Sequence, residues 1–544
     1  MTGRPAHLRF WLLGIYDGSV ATTKKTSKVS NIRFSGELPP AELNLARYCL
    51  EAGARRHPDK PALILCDDPQ HAGHAARWSY GEVEDAVLRM AHGLASRGFA
   101  PGERLFIRMG NSIDYALMVF AANAAGLVPI PASPMLSVHE ARTIIDDCRP
   151  PALVTDGTLA LPDLPDETSV LGPDDIARLK RGLRGDYAAT RSDDPAFLIY
   201  TSGTSGVPKG VLHGQRAVWG RRPMYRGWYA IEPDDIILHT GAFNWTYTLG
   251  TGLFDPWANG ATALLYCGAR DITVWPRLAR AHGATIMASV PSLYRQLLKY
   301  SATDGFESLR HGLSAGEVLS PALYHEMIER TGLTLYEALG MSEISTYLSS
   351  SPHVPPKPGS PGKPQPGRAV AILPVDGGTS PLPPGQTGLL AVHASDPGLM
   401  LGYWKRPEEQ GRAFRGEWFI GGDLATMDED GYIWFEGRND DLMNAFGYRV
   451  SPQEVENVLL GHPSVAEAGV AEIRVREDVA VIAGFVVSAN GCECDAAALL
   501  EYAGEHLARY KLPREIRVVD SLPRTANGKL LRRELANLMR QDNS

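Results

Sequence analysis

The feature that most restricts the fold of this chain is an alternation of apolar segments with two different periods. Residues 105–109, 128–131 and 152–155 are apolar runs of strand length, and residues 113–125 and 138–147 between them carry helical spacing. Alternation of this kind builds βα units stacked on a largely parallel sheet. A second series occupies residues 236–336, with strand segments at 261–266 and 285–290 and helices beginning near Thr273 and Pro291. Two α/β halves in one large domain are expected. The 544 residues leave room for more, since a domain takes roughly 100–200.

Beyond residue 350 the texture changes. Seven prolines from Pro352 to Pro366, with Gly359, Gly362 and Gly367, exclude helix and central strand and predict a stiff surface loop. Strand-like segments follow at 388–393 and 432–436. Ser451-Pro452-Gln453-Glu454 has the form of a capping box with proline at the first helical position, opening a helix to Leu460, and apolar runs at 465–471 and 479–487 predict a small sheet. The expected organisation is a leader at 1–43, a large α/β domain with a β-rich part at 44–436, and a small α+β domain at 437–544.

Composition narrows the function. With 54 basic and 62 acidic side chains the net charge is −8, which argues against a chain built to coat nucleic acid or an anionic membrane and favours small partners. Hydrophobic content of 44% and charged content of 21% exclude general disorder. The six cysteines are scattered, so neither a disulfide framework nor a zinc site is expected, and a reducing cytoplasm fits. The N-terminal apolar run 10–15 is too short to span a bilayer, and no Ala-x-Ala cleavage pattern follows it.

The strongest local signal is the stretch 200–211. Gly203, Gly206 and Gly210 let backbone N–H groups converge, the hydroxyls of Tyr200, Thr201, Ser202, Thr204 and Ser205 add donors, and Lys209 supplies a cation. Those are the requirements of a polyphosphate cradle. The spacing does not match Gly-x4-Gly-Lys-Ser/Thr, which disfavours a conventional P-loop kinase.

This stretch resembles the phosphate loop of the acyl-adenylate-forming superfamily of AMP-binding enzymes, which includes acyl-CoA synthetases, stand-alone adenylation domains and luciferases. Five further motifs follow in the family's order, and the similarity covers residues 44–540. Ser314-Ala315-Gly316-Glu317 resembles the adenine-contacting turn, and Leu339-Gly340-Met341-Ser342-Glu343 the segment whose acid holds magnesium. Gly422-Asp423 resembles the ribose-binding motif, Gly437-Arg438-Asn439-Asp440-Asp441 the hinge, and residues 523–529 the loop that carries the catalytic lysine.

The resemblance implies ATP, Mg2+ and coenzyme A as cofactors and a two-step reaction. A carboxylate attacks the α-phosphate of ATP, pyrophosphate leaves, and a thiol then displaces AMP from the acyl-adenylate. Lys529, Glu343 and Thr204 are the implied catalytic residues, with Glu343 and Thr204 at the metal. A carboxylate is a hard ligand suited to Mg2+. Asp423 can accept from two ribose hydroxyls and Arg438 can donate a rigid fork to sugar or phosphate. Ser342 lies beside the metal acid; Asp440 is the implied hinge of a mobile C-terminal domain, and Gly447 and Arg449 belong to the face it presents in the thiol step. The segment 509–540 holds nine basic residues against three acidic ones, which suits an anionic ligand such as CoA, although a charged face on a terminal helix explains Arg532, Arg533 and Arg540 as well.

In similar enzymes the acid pocket is lined by the counterpart of residues 243–250, here including Trp245, Thr246 and Tyr247, and by residues around Gly340, including Thr346. Acetate-specific relatives close the pocket with a tryptophan where this chain has Gly340, so a larger acid is expected. Leu339 replaces the usual tyrosine against adenine and Ser342 the usual threonine. Asn444 stands where benzoate-type ligases carry lysine, whereas residues 339–350 and Tyr247 resemble the benzoate group. Trp245 and Tyr247 are flat apolar walls suited to a ring, or core packing.

The expected function is an acyl-CoA synthetase for an aromatic or alicyclic acid, with a medium-chain fatty acid next. The alternatives are a stand-alone adenylating enzyme that loads a carrier-protein phosphopantetheine, and a non-catalytic nucleotide-binding module, which would lack Lys529 or Glu343. The partners expected are a small carboxylic acid and CoA, with no nucleic acid or membrane; a homodimer is left open.

Overall fold

The structure, a computed structural model, describes residues 32–201, 208–269, 271–300, 304–439, 443–445, 448–476, 479–489, 492–507, 509–524 and 530–539. The chain divides into the units Met1–Ile32 and Arg33–Ser544, and every described helix and strand belongs to the second.

A nine-stranded sheet forms the centre of the large domain. Six strands run parallel in the order Leu335–Met341, His311–Ala315, Ile286–Ser289, Ile236–His239, Thr262–Tyr266 and Pro61–Cys66. Antiparallel strands close its edges, Ala76–Ser79 on one side, Ser345–Ser349 and Lys363–Pro364 on the other. Both faces are buried, as a parallel sheet requires. Leu63 and Leu65 face one apolar cluster while Ile64 and Cys66 face another, and Leu265 and Leu264 divide the same way.

A second, four-stranded sheet is wholly parallel: Val128–Ala132, Arg104–Arg108, Ala152–Val154 and Ser169–Leu171. Its helices begin where the sequence pattern places them. Ser137 caps Val138–Cys148 by accepting from the Glu140 N–H at 3.2 Å, and Glu140 returns the bond to the Ser137 N–H at 2.8 Å. The helix Ile113–Ala124 is buried along most of its length, which explains its continuous apolar run.

The expected β-rich part is a five-stranded sheet formed by Val370–Leu373, Gly388–His393, Trp418–Met427, Phe414–Arg415 and Ile433–Arg438. The proline-rich stretch before it is pinned rather than merely superficial. Lys363–Pro364 adds an edge strand, Ser360 is buried and donates to the Ile433 carbonyl at 2.6 Å, and Lys357 bridges Asp428 and Asp430.

Residues 33–43 lie against the body. The Phe34 N–H donates to Ser395 Oγ at 2.9 Å, the Ser35 N–H to the Gly367 carbonyl at 2.9 Å, and the Leu43 N–H to the Thr190 carbonyl at 3.0 Å. Asn44 then caps the helix Leu45–Arg56.

After residue 437 the strands Val465–Arg476, Val479–Ser488 and Glu515–Val518 form a sheet whose two faces carry separate apolar clusters. Val455, Leu459, Leu499 and Ala503 cover one face and Leu522 and Leu535 the other. The helix Pro452–Leu460 begins at Ser451 as expected, but the capping box does not form. The Ser451 hydroxyl donates to the Glu436 carbonyl instead, and Glu454 pairs with Lys511 at 2.5 Å. Among the described residues no helix is long and apolar enough to cross a membrane.

Candidate active site

The strands Pro195–Thr201 and Lys209–Gly214 pair antiparallel, with Thr201 opposite Lys209. Ser202, Gly203, Thr204, Ser205 and Gly206 lie outside the described residues. Tyr200, read from sequence as a phosphate donor, gives its hydroxyl to Asp147 Oδ2 at 2.5 Å. It neighbours Thr201 on a strand, where successive side chains take opposite faces. Lys209 Nζ lies 2.5 Å from Glu409 Oε2 and holds that carboxyl below its usual range.

The link from this hairpin to Glu343 is Tyr403. The short strand Gly402–Tyr403 pairs with Lys209–Gly214, Tyr403 opposite Val211. The Tyr403 hydroxyl donates to Glu343 Oε1 at 2.7 Å, and its ring lies 5.9 Å from Lys209 Nζ. Burial, and then the charge of Glu343, pushes the Tyr403 phenol up, so it stays a donor. Glu343 itself sits in the turn between Leu335–Met341 and Ser345–Ser349. Its carbonyl accepts from the Met400 N–H at 2.7 Å, and the preceding carbonyl, of Ser342, is 2.8 Å from His213 Nε2.

Asp423 and Arg438 face each other across the strands Trp418–Met427 and Ile433–Arg438, with Arg438 Nη1 3.1 Å from Asp423 Oδ1. The buried Tyr347 phenol is pushed up first by burial and then by the charges of both Asp423 and Glu343. Both carboxylates thus act electrostatically on Tyr347, while Thr201 and Lys209, Ser342 and Glu343, and Asp423 and Arg438 are carried by three strand pairs far apart in sequence.

Gly316 has φ of +90°, open to glycine but costly for other residues. A Cβ there would lie 3.0 Å and 3.1 Å from the Trp245 ring, so Trp245 packs directly on the adenine-type turn. Glu317 is committed to the protein: Ser292 donates to it through its N–H and its hydroxyl, each at 2.9 Å. Tyr247 lies deeper than Trp245. Its ring meets Trp245 edge-on at 5.3 Å and stacks on Trp228 at 5.9 Å, and its hydroxyl reaches the Ser289 carbonyl at 3.3 Å.

Gly340 is exposed, with Thr346 opposite it on the antiparallel partner. A Cβ at Gly340 would collide with the Ser345 carbonyl and come within 2.6 Å of Thr346 Cα. Thr346 is buried, and Thr246 opens the short helix Thr246–Leu249.

Lys529, Asp440 and Gly447 lie outside the described residues. Arg449 is on the strand Tyr448–Val450, opposite Asn444. The donor set fits Mg2+: Glu343 offers a hard carboxylate oriented by the Tyr403 hydroxyl, of the kind that holds such an ion with phosphate oxygens and water completing its shell. Sequence reasoning missed Tyr403, Glu409 and His213. None sits in a recognisable motif, and each acts on a partner more than 50 residues away.

Residues 50–404 match the family described as AMP-binding enzyme, and residues 454–529 match the AMP-binding enzyme C-terminal domain. The chain is 30% identical over 497 residues to a 3-hydroxybenzoate–CoA ligase from Aromatoleum sp. (strain CIB), covering 88% of this chain and 94% of that protein. It is 33% identical over 496 residues to the mitochondrial acyl-coenzyme A synthetase ACSM5 of Mus musculus, covering 86% and 85%. A benzoate CoA ligase from Burkholderia xenovorans LB400 superposes with a TM-score of 0.80 at 26% identity, over 91% of this chain and 99% of that one.

Proposed function

The chain belongs to the AMP-binding enzyme family and is an AMP-forming acyl-CoA ligase that uses ATP, Mg2+ and coenzyme A, and from that premise we propose that it activates a carboxylic acid larger than acetate, an aromatic or alicyclic acid before a medium-chain fatty acid. The observation that supports the adenylate-forming chemistry is the junction made by Tyr403, which donates to Glu343 and lies over Lys209 of the phosphate hairpin. It supports neighbouring phosphate and metal sites, with the Asp423–Arg438 pair taken as the sugar site. A ring acid is supported by the Trp245 wall and by the benzoate-type relatives; the ACSM5 relative supports the fatty-acid alternative.

The residues divide the work. Mg2+, when bound, neutralises phosphate charge. Glu343 holds it, with Thr204 beside the same phosphates, and Tyr403 fixes the carboxylate's orientation. Lys209 exchanges Glu409 for phosphate oxygens, and Asp423 and Arg438 hold the sugar. Gly316 turns the backbone against the base and Trp245 closes the wall between base and acid. Lys529 stabilises charge at the α-phosphate in the first step only; Asp440 is the hinge of a domain at 437–544, and Gly447 and Arg449 serve the thiol step. We place the enzyme in the cytoplasm. A carrier protein as acceptor is the second reading, and the named CoA ligases among its relatives weigh against it.

The test is AMP release from ATP and Mg2+, with and without CoA, across benzoates, cyclohexane carboxylates and straight-chain acids from acetate to laurate. CoA-dependent turnover on a ring acid is expected; turnover on straight chains alone refutes the substrate preference. Lys529→Ala should lower adenylate formation by about 10^2 to 10^3 while sparing thioester formation from supplied acyl-adenylate. An equal loss in both steps refutes the role given to Lys529.

A further inference from the structure

Between the helix Thr246–Leu249 and the turn that carries Glu343 lies a cavity of about 30 Å³. It shares Thr246 and Ser342 with the candidate site, and its other walls are apolar groups, among them Phe197, Val218, Leu249 and Ile344, together with His213, Arg221 and Ser345. That volume exceeds what one water needs and suits a single small substituent.

His213 gives the cavity its chemistry. The residue is 3% exposed, and its ring stacks on Phe197 at 4.6 Å. Nε2 is 2.8 Å from the Ser342 carbonyl oxygen. A carbonyl oxygen only accepts, so Nε2 carries the proton. Burial lowers the imidazole to about 4, so near neutral pH the ring is uncharged and Nδ1 is a bare acceptor. Nδ1 is buried and has no hydrogen-bond partner among the described residues. A buried acceptor left unpaired is unfavourable, and native interiors rarely tolerate one without a reason.

Arg221 decides which donor is wanted. Its Nε and Nη2 donate to Asp255 at 2.7 Å and 2.6 Å, and Nη1 donates to Ser345 Oγ at 2.5 Å. With its charge matched by a buried carboxylate, Arg221 offers no net attraction to a distal carboxylate, and its closeness disfavours an ammonium group. A neutral donor remains.

We propose that this cavity receives a neutral hydroxyl or aryl-amine N–H on the acyl group, donated to His213 Nδ1, so that the preferred substrates are hydroxy or amino acids of the ring class rather than unsubstituted ones. The inference rests on the acyl-CoA ligase reading and refines its substrate.

The experiment compares kcat/KM for 3- and 4-hydroxybenzoate with 3- and 4-methylbenzoate, and for 6-hydroxyhexanoate with heptanoate, in the full-length enzyme with ATP, Mg2+ and CoA. At least one hydroxy acid should exceed its methyl partner about tenfold or more. In His213→Gln, whose NH2 still donates towards Ser342 and whose amide oxygen no longer occupies the Nδ1 position, that ratio should fall to about one. The ratio is internal to each preparation, so partial misfolding does not affect it. Ala217→Val, which adds methyl groups at another cavity wall, should lower the same ratio if His213→Gln fails to fold. Turnover of unsubstituted acids with every ratio near one in the wild type overturns the inference and leaves the ligase reading standing, and so does a ratio unchanged by both variants. No AMP release with any acid overturns both.

Discussion

Gly316→Ala tests the coupling between the adenine-type turn and the acid wall. Two costs follow from the structure. The residue must hold φ near +90° with a side chain, worth about 1–2 kcal/mol of folding stability. Its methyl group would also stand 3.0 Å and 3.1 Å from the Trp245 ring, where carbon atoms prefer roughly 3.5–4.0 Å, so the ring or the turn must move by about half an ångström or more. A displacement approaching an ångström near reacting groups costs up to about 10^2 in rate, and a loss of about 10- to 100-fold in kcat/KM for the acid is expected. The assay is AMP release at varied acid, with urea unfolding alongside, for Gly316→Ala, Trp245→Leu and the double variant. Backbone strain does not depend on Trp245, so the double variant should keep the stability loss of Gly316→Ala. The rate penalty passes through the displaced ring, so the double variant should match Trp245→Leu in kcat/KM within about twofold. If the two rate losses multiply instead, Trp245 does not transmit the effect and the coupling is refuted.

Two further outcomes follow from buried charge. Arg221→Met leaves Asp255, which is fully buried, without its cation; urea unfolding should show a loss of about 3–5 kcal/mol, most of it recovered in Arg221→Met/Asp255→Leu, and failure of that recovery would refute the pairing. Glu337 is pushed up to about 8 by burial, against an ordinary 4.5, despite accepting from the Leu319 N–H at 2.9 Å. The folded chain then keeps a proton that the unfolded chain has released. Glu337's own contribution to stability should be fullest below about 4.5 and fall by roughly 1.4 kcal/mol per pH unit up to about 8. The difference in unfolding free energy between wild type and Glu337→Gln, taken at pH 5, 6, 7 and 8, should follow that slope, and a difference that does not change with pH refutes the assignment to Glu337.

The layers were legible in the sequence because apolar period is a local property. Residues 105–109 and 113–125 show it without help from the rest of the chain, and the strand Arg104–Arg108 and helix Ile113–Ala124 match them within a residue. The motifs likewise singled out Lys209, Glu343, Asp423 and Arg438 as candidates, and the fold pairs the first with Glu409, the second with Tyr403 and the last two with each other. What the sequence did not reveal depends on partners brought in by the fold. Ser451 has the form of a cap, but its hydroxyl finds the Glu436 carbonyl once the two segments meet. Tyr200 reads as a phosphate donor, but Asp147, on the helix Val138–Cys148, is within reach of its hydroxyl. Tyr403 is an ordinary tyrosine until a two-residue strand lays it against Glu343. The polar N-terminal texture predicts a leader as far as residue 43, yet residues 33–43 bond to the body through both backbone and side chains.

The close approach at Gly340 bears on how such an enzyme can change its diet. Since the carbonyl of Ser345 and the Cα of Thr346 fill the space any side chain would need, the hairpin has to be reshaped before a bulky residue can be tolerated there. A descendant that turned to acetate could not arrive by one substitution at this position. It would need a compensating change in residues 345–346 first, and the intermediate sequence would gain nothing from it. On the pocket proposed above, broadening the diet is the easier direction, because the close approach that bars a side chain at Gly340 does not involve Trp245 or Thr246. The path of descent then runs more readily towards new large acids than back to small ones.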